Sequence, residues 1–390
     1  MLKIGQFTDT FLPVVDGVGR VVQAYSETLC KMGNQVTVVA PMYDTGFQGG
    51  FPFQLVEYVG SSVPGMKQYK VGEAVLDAHY RHRIRMIDLD LIHAHSPFTA
   101  GSEALRLASV RKLPLVATFH SKYRQDFEHN VHCKPIVDWM VRHIIRFFEK
   151  ADEVWIPQAA VEPTLREYGY KGHVEVVENG NDFYTPKPII EEMRKEMREE
   201  LGVLPEETML LFVGQHIWEK NIGFILDALA LIKEQPFQLF MVGTGYAVRD
   251  IKHKIGELGL QDKVTLLGNI HDRNRLKKID AAADLFLFPS LYDNAPLVVR
   301  EAAAMHTPAL MLQESTAAEV SQPDVNGFLT PNDLQQYADR IVYLMHHPDM
   351  MAKVGHKAST TISRSWENVM EEVILRYRDI QQSYKLKHGK

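Results

Sequence analysis

Cysteine is scarce in this chain: Cys30 and Cys133 are the only two in 390 residues, far apart, with neither a disulfide framework nor metal-ligand spacing. That usage points to a reducing compartment. No uninterrupted apolar run reaches membrane-spanning length, and Met1-Leu2-Lys3-Ile4 leads into a strand pattern rather than a secretory leader. Solenoid-type repeats and low-complexity segments are absent as well. Gly17 and Gly19 form a G-x-G without the third glycine of the dinucleotide fingerprint, which weighs against a dehydrogenase. Asp88-Leu89-Asp90 has the D-x-D form of a diphosphate-chelating metal loop, but it precedes a strand and reads as a solvated turn. The expected location is the cytoplasm, with at most peripheral contact to the inner face of a membrane, and no nucleic-acid partner is expected.

What is present is an ordinary globular composition, 45% hydrophobic and 24% charged with a net charge of −6, long enough for two or three domains. Short apolar runs alternate with helical patterns from end to end. Strands are expected over 3–8, 35–40, 91–94, 115–118, 153–156 and 174–177, then over 209–214, 238–243, 264–268, 285–288 and 309–312. Such alternation implies mostly parallel sheets wrapped by helices. Residues 181–207 contain Thr185-Pro186-Lys187-Pro188 and a charge-dense stretch, and are expected as linker and entry helix. The expected fold class is α/β: two doubly wound Rossmann-like domains, 1–180 and 208–369, facing a central cleft.

The segment 284–301, DLFLFPSLYDNAPLVVRE, carries the most chemistry. A buried strand runs into a proline-bounded loop holding Asp293, then into a helix in which Glu301 follows eight residues later. Pro296 suits the first helical turn, where its missing N–H costs nothing. Free amides at that turn would face the carboxyl edge of the strand, where open α/β sheets bind anionic ligands. Two neighbouring strand ends repeat the theme. MLLFVG leads through Gln215, His216, Ile217 and Trp218 to Lys220, and a later strand ends in Gly243-Thr244-Gly245, where glycines permit a tight turn. In the first half, FTDTFLPVVDGVGR brings Gly17 and Gly19 to a strand–loop–helix junction, while His93-Ala94-His95 and Thr118-Phe119-His120 place histidines at strand ends.

Read together, FTDTFLPVVDGVGR, HAHSPFTAG, ATFH, VVENGND, VGQHIWEKN, the GTG turn and the D-x7-E segment resemble a retaining nucleotide-sugar glycosyltransferase of family 4, with the GT-B fold. HAHSPFTAG, ATFHSKY and VWIPQ are most similar to the diacylglycerol glucosyltransferase branch. The resemblance implies that Gly17 and Gly19 approach the donor and that His120 contacts the transferred sugar. It assigns Lys220 to the departing diphosphate, Glu301 to the nucleotide ribose and Asp293 to the sugar hydroxyls. Amides of Asn294, Ala295, Pro296 and Leu297, without one at the proline, would complete the cradle beside Gly243 and Gly245. Asn269 and Ile270 would lie against the base, and His95 and Tyr123 on the acceptor side. Two positions depart from the family pattern. Gln215 stands where arginine is common, so His216 or Arg300 compensates or Lys220 acts alone, and Asp293 stands where glutamate is usual.

That resemblance further implies a hexosyltransferase using UDP-glucose by front-face substitution with retention, needing no cofactor or metal. The acceptor is read from the first half. Between residues 67 and 150 there are 14 Lys and Arg against 9 Asp and Glu, with eight histidines. The segment IVDWMVRHIIRFF at 136–148 mixes apolar and basic residues, either as a core helix with a basic outer face or as a surface for anionic lipid. The expected acceptor is a lipid such as diacylglycerol. Alternatives are a soluble or glycan acceptor, an epimerase of the same fold, and a non-catalytic sugar-nucleotide binding protein. The apolar spacing of Val369, Val373, Ile374, Tyr377, Ile380 and Tyr384 predicts a last helix, with 370–390 crossing back onto the first domain.

Overall fold

The computed structural model describes residues 1–12, 16–42, 50–63 and 66–389. Residues 13–15 of the glycine-bearing opening therefore lie outside the described residues. The chain forms two compact units, one made of residues 1–179 together with the chain from Trp366 onward, the other of Gly180–Ser365.

The first unit holds β1 (Lys3–Phe7), β2 (Gln35–Ala40), β3 (Gln54–Glu57), the hairpin β4 (Gly60–Val63) and β5 (Met66–Gly72), then β6 (Leu91–Ala94), β7 (Leu115–Thr118), β8 (Glu153–Ile156) and β9 (Glu175–Val176). Seven of them make one parallel sheet in the order β3-β2-β1-β6-β7-β8-β9, and β4 pairs β5 antiparallel. Helices cover both faces, so strands such as QVTVVA are buried at successive residues after Gln35 rather than at alternate ones. Register places Ile4 between Val36 and Leu91, which keeps the apolar side chains in layers. Asp88 and Asp90 hold Lys3 at the amino end of β1, the edge opposite the one that carries Gly17 and His95.

Asp16 caps the helix Gly17–Lys31: its Oδ1 accepts from the Gly19 amide at 2.6 Å, satisfying an N–H the helix cannot. Val21, Val22, Tyr25 and Leu29 form the buried stripe of that helix. The last helix, Trp366–Lys387, buries Trp366, Val369, Val373, Ile374, Tyr377 and Ile380 within the same unit. Its Tyr377 ring stacks on Trp155 at 5.4 Å and 13°. Tyr384, at the same spacing, is only partly buried.

The second unit contains β10 (Thr208–Val213), β11 (Phe237–Val242), β12 (Val264–Gly268), β13 (Leu285–Phe288), β14 (Ala309–Leu312) and β15 (Phe328–Thr330). They form a parallel sheet in the order β12-β11-β10-β13-β14-β15. Residues 181–207 fold as part of this unit. The reason is electrostatic: Arg194 and Arg198 of the helix Lys187–Leu201 both pair with Asp284, whose other contact is the Met209 amide at 2.7 Å. A charge-dense stretch therefore pins the amino ends of β10 and β13 together. Strands β3, β4, β5 and β15 fall outside the strands expected from sequence. They are short or lie at sheet edges or in a separate hairpin, so no continuous buried run marks them.

In both sheets the chain reverses its direction of progress beside a central strand, between β1 and β6 and between β10 and β13. Loops leaving the carboxyl ends of those strands diverge and leave a crevice, the usual binding position of a doubly wound sheet. Among the described residues no helix is long and apolar enough to cross a membrane.

Gly101, in the helix Thr99–Arg111, sets the approach of that helix to the loop after β6, since a Cβ there would sit 2.3 Å from the Ser96 carbonyl oxygen. Gly101→Ala should lower stability by about 1–3 kcal/mol, read from the urea midpoint. An unshifted midpoint would mean that the loop yields without cost.

Candidate active site

In the second unit the site is built where β10 and β13 end. After β10 a short 3-10 turn, Trp218–Lys220, leads to Asn221, which adopts the left-handed conformation at φ 60°. Asparagine tolerates that region better than most residues. Its side-chain amide donates to the Pro289 carbonyl at 3.1 Å, tying the turn after β10 to the loop after β13. Lys220 is thereby carried to Asp293, and the two form an ion pair with both side chains largely buried. Ser290, fully buried, donates to the second Asp293 oxygen at 2.6 Å, and Thr316 donates to the Asp293 carbonyl. The ammonium also lies 5.3 Å from the Tyr292 ring centre. Sequence spacing pointed to Lys220 and Asp293. Asn221, Ser290 and Thr316, which hold them, were not singled out, and the only local signal was an asparagine directly before an apolar helix.

The helix after β13 is Leu297–Ala304, with Pro296 just outside it in an extended conformation. The expected first-turn position of Pro296 is thus displaced by one residue, and Glu301 stands little more than one turn into the helix. Asn294 is buried, while Ala295, Pro296 and Leu297 are half-buried. Glu301 is buried and accepts from Arg273 at 2.6 Å; Arg273 also pairs with Asp182 at 2.5 Å and lies over Phe183 at 4.3 Å. Arg273 was not anticipated from sequence. It brings Glu301 into one charged cluster with the chain just before the helix Lys187–Leu201. Buried Asp280 nearby has its carboxyl pushed well up by desolvation and then by the Glu301 charge.

Gly243 and Gly245 have a packing reason to be glycine. A Cβ on Gly243, whose φ is 136°, would lie 1.9 Å from the Gly214 carbonyl oxygen, and one on Gly245 would lie 2.4 Å from that of His216. The turns after β10 and β11 therefore touch backbone to backbone. His216 sits at that contact, 1% exposed, and neither ring nitrogen has a hydrogen-bond partner among the described residues. Desolvation lowers its pKa to about 4, so the ring is neutral at pH 7. Arg300 is buried with Nη1 donating to the Ile362 carbonyl at 2.9 Å. Of the two side chains considered as substitutes for the missing arginine, one is uncharged and the other is engaged with the end of the helix Pro348–Thr361. Gln215 is exposed and carries no charge. Asn269, after β12, is exposed with its amide 3.1 Å from His271, and Ile270 packs half-buried against the core.

In the first unit, Gly17 is exposed and Gly19 buried. Neither has a positive φ, and a Cβ on Gly17 would meet nothing within 4 Å. Neither backbone strain nor packing therefore requires glycine at position 17. His95 is buried, with Nδ1 3.0 Å from His120 Nε2 and Nε2 2.7 Å from Gln6 Oε1. His93 lies beside it, with Nδ1 2.6 Å from the Tyr377 hydroxyl and Nε2 2.7 Å from Thr118 Oγ1. Burial lowers the His120 pKa to about 4 and holds those of His93 and His95 well below the usual imidazole value. Tyr123 is buried edge-on to Phe98 and Phe119. His95 and Tyr123, expected on the acceptor side, are both buried in this unit, and His95 meets the His120 ring. Asp9 also escaped notice in the sequence. Its Oδ1 accepts from Thr99 Oγ1 and the Ala100 amide at 2.6 and 2.8 Å, joining the loop after β1 to the helix after β6. Among the described residues no group of three or more His, Cys, Asp or Glu side chains could hold a metal ion.

His216 gives a signed pH dependence. Its folded pKa lies below the ordinary value of 6.5, so its stabilising neutrality is complete above that value and is lost as pH falls toward about 4. Between those limits the wild type should lose up to roughly 3 kcal/mol more stability than His216→Leu, measured by urea unfolding along a pH series. Parallel curves would show that the ring is not desolvated.

Two family models match this chain, "Glycosyltransferase Family 4" over residues 15–183 and "Glycosyl transferases group 1" over 193–361. An alpha-monoglucosyldiacylglycerol synthase of Streptococcus pneumoniae is 28% identical over 324 residues, covering 79% of this chain and 70% of its own length. Another of that name from Acholeplasma laidlawii is 22% identical and covers 92% of each chain. Among solved structures, a sucrose-phosphate synthase from Thermosynechococcus elongatus superposes with a TM-score of 0.80 at 19% identity, covering 98% of this chain and 100% of its own. Anabaena HepE in complex with UDP and glucose gives 0.77 at 18% identity, with 96% and 99% covered. The two matched models, one on each parallel-sheet unit, place this chain among the GT-B glycosyltransferases of family 4, on the diacylglycerol glucosyltransferase-like branch.

Proposed function

We propose that the protein is a retaining hexosyltransferase that moves glucose from UDP-glucose to a lipid acceptor such as diacylglycerol at a membrane surface. The observation that carries the donor side is the Lys220–Asp293 pair at the ends of adjacent strands β10 and β13. A buried ammonium needs a negative partner, and Asp293 supplies it while no donor is bound. A diphosphate brings more negative charge than one carboxylate, so it takes Lys220 and leaves Asp293 to accept from sugar hydroxyls. Glu301, oriented by Arg273, accepts from the ribose hydroxyls.

Breaking the bond from the anomeric carbon to the phosphate oxygen leaves positive charge on the sugar and negative charge on the diphosphate. Lys220, the amides at the start of the helix Leu297–Ala304 and the neutral ring of His216 are preorganised for the negative side. The acceptor oxygen attacks from the face the phosphate leaves, its proton passing to a phosphate oxygen, so the configuration is retained. With Lys220 as the neutralising cation, the reaction as drawn needs no metal or other cofactor.

The acceptor reading rests on the names of the relatives and on the helix Lys134–Phe148. Val137, Val141, Ile144, Ile145, Phe147 and Phe148 turn inward, as a core helix requires. The other face presents Ile136, Trp139, Arg142, His143 and Arg146, with Trp139 59% exposed and stacked on His143. An exposed indole among cations suits an anionic headgroup layer. On this reading the enzyme works at the cytoplasmic face of a membrane.

UDP-, GDP- and ADP-sugars should differ in thermal shift, with UDP-glucose giving the largest, and diacylglycerol should then yield an α-glucosyl product. Lys220→Ala and Glu301→Ala should each lower turnover at least a hundredfold, the scale of lost transition-state electrostatics, while the protein remains folded. Wild-type rates in either variant would show the site to be elsewhere. Sedimentation with anionic vesicles should retain the wild type and lose Trp139→Ala with Arg142→Ala. Indifference to vesicles would favour a soluble or glycan acceptor.

A further inference from the structure

Behind His120 runs a line of five polar contacts with no charged group in it. Thr118 Oγ1 meets His93 Nε2 at 2.7 Å, His93 Nδ1 meets the Tyr377 hydroxyl at 2.6 Å, and Gln6 Nε2 meets that hydroxyl at 3.3 Å. Gln6 Oε1 then meets His95 Nε2 at 2.7 Å, and His95 Nδ1 meets His120 Nε2 at 3.0 Å. Gln6, His93 and His95 are buried, as is Tyr377 on the last helix. All belong to the first unit.

The amide of Gln6 gives the line a direction. Its NH2 end only donates and its oxygen only accepts. The 3.3 Å contact to Tyr377 suits a long N–H···O bond and exceeds the usual range for O–H···O, so the NH2 end faces the phenol. The oxygen then faces His95, whose Nε2 must carry hydrogen. A neutral imidazole has one ring hydrogen, so His95 Nδ1 accepts, and His120 must donate from Nε2. On the other side, Tyr377 directs its single hydrogen to His93 Nδ1, and His93 Nε2 donates to Thr118. Each of the five contacts receives one hydrogen, with none missing and none in excess.

We propose that Tyr377, Gln6 and His95 are positioning residues that fix His120 with its proton on Nε2 and its lone pair on Nδ1. Resting on the transfer reading above, this fixes the protonation pattern of a histidine assigned to the transferred sugar. A residue on the final helix, through Gln6 and His95, sets the hydrogen placement on a histidine at the end of β7. The ring of Tyr377 is held independently by its stacking on Trp155, so its hydroxyl can be removed without displacing the helix.

The test uses the full-length protein labelled with 15N-histidine, His120 being assigned by comparison with His120→Ala. Long-range 1H–15N spectra distinguish a protonated ring nitrogen from an unprotonated one. In the wild type, His120 should show protonated Nε2 and unprotonated Nδ1. Tyr377→Phe should mix or reverse that signature and lower kcat for glucosyl transfer about tenfold, the net worth of one hydrogen bond, with little change in KM for UDP-glucose. Tyr25→Phe is the control: its ring packs on both His93 and His95 outside the line, and the His120 signals should stay in place. A wild-type proton on Nδ1 would overturn the assignment whatever the variants do, and this spectrum needs no variant beyond the one used for assignment. A shifted signature with unchanged kcat would remove the positioning role. Wild-type turnover in His120→Ala would sink the transfer reading of His120 and leave the tautomer assignment standing.

Discussion

The strand ends of β10 and β13 in the second unit are organised around one largely buried ion pair, Lys220 with Asp293. Lys220 reaches its position through a left-handed asparagine, and Asp293 meets it from a loop that Thr316 and buried Ser290 hold in place. Burying an ammonium costs several kcal/mol unless a negative partner stands beside it. The loops after β10 and β13 are therefore arranged to supply one. The same arrangement makes the position receptive to an anion of greater charge. The backbone contact between the turns at Gly214–His216 and Gly243–Gly245 keeps this edge of the sheet narrow. The charged pair of Arg194 and Arg198 with Asp284 pins the opposite edge, so both ends of the two central strands are fixed by electrostatics while apolar residues fill the middle.

The first unit handles polar groups differently. His93 and His95 are buried and, with His120, neutral, and the hydrogen bonds of His93 and His95 are met by Gln6, Thr118, Tyr377 and His120 rather than by carboxylates. Such a network is costly if one member is unsatisfied and specific if all are satisfied. His216 in the second unit is the contrasting case, buried with no partner for either nitrogen among the described residues. A neutral ring held in that condition reduces stability and is retained where a ligand meets it, which fits its place beside the phosphate-binding turns of the proposed donor site.

Much of this was legible in the residues. The short, largely apolar runs at 35–40, 91–94, 264–268, 285–288 and 309–312 marked parallel strands, and the observed bounds coincide, although 264–268, at a sheet edge, is buried only at Val264. Lys220, Asp293 and Glu301 could be singled out because they follow such runs at fixed spacing. What stayed hidden depended on contacts distant in sequence. Arg273 reaches Glu301 and Asp182 from another strand–helix connection, and nothing in its neighbours marks it. Tyr377 looked like one more apolar position in a helical stripe, and its hydroxyl acquires a role only once β1 and β6 are beside it. The charge-dense helix at 187–201 resembled a solvated connector because its partner, Asp284, lies far along the chain.

The central claim is that Lys220 recognises the diphosphate of the donor. It is tested most directly by calorimetric affinities of UDP and UMP for the wild type and for Lys220→Met. The expected result is a marked preference of the wild type for UDP that largely disappears in the variant, with UMP binding little changed. A preference for UDP of equal size in both proteins would contradict the assignment of Lys220 to the diphosphate.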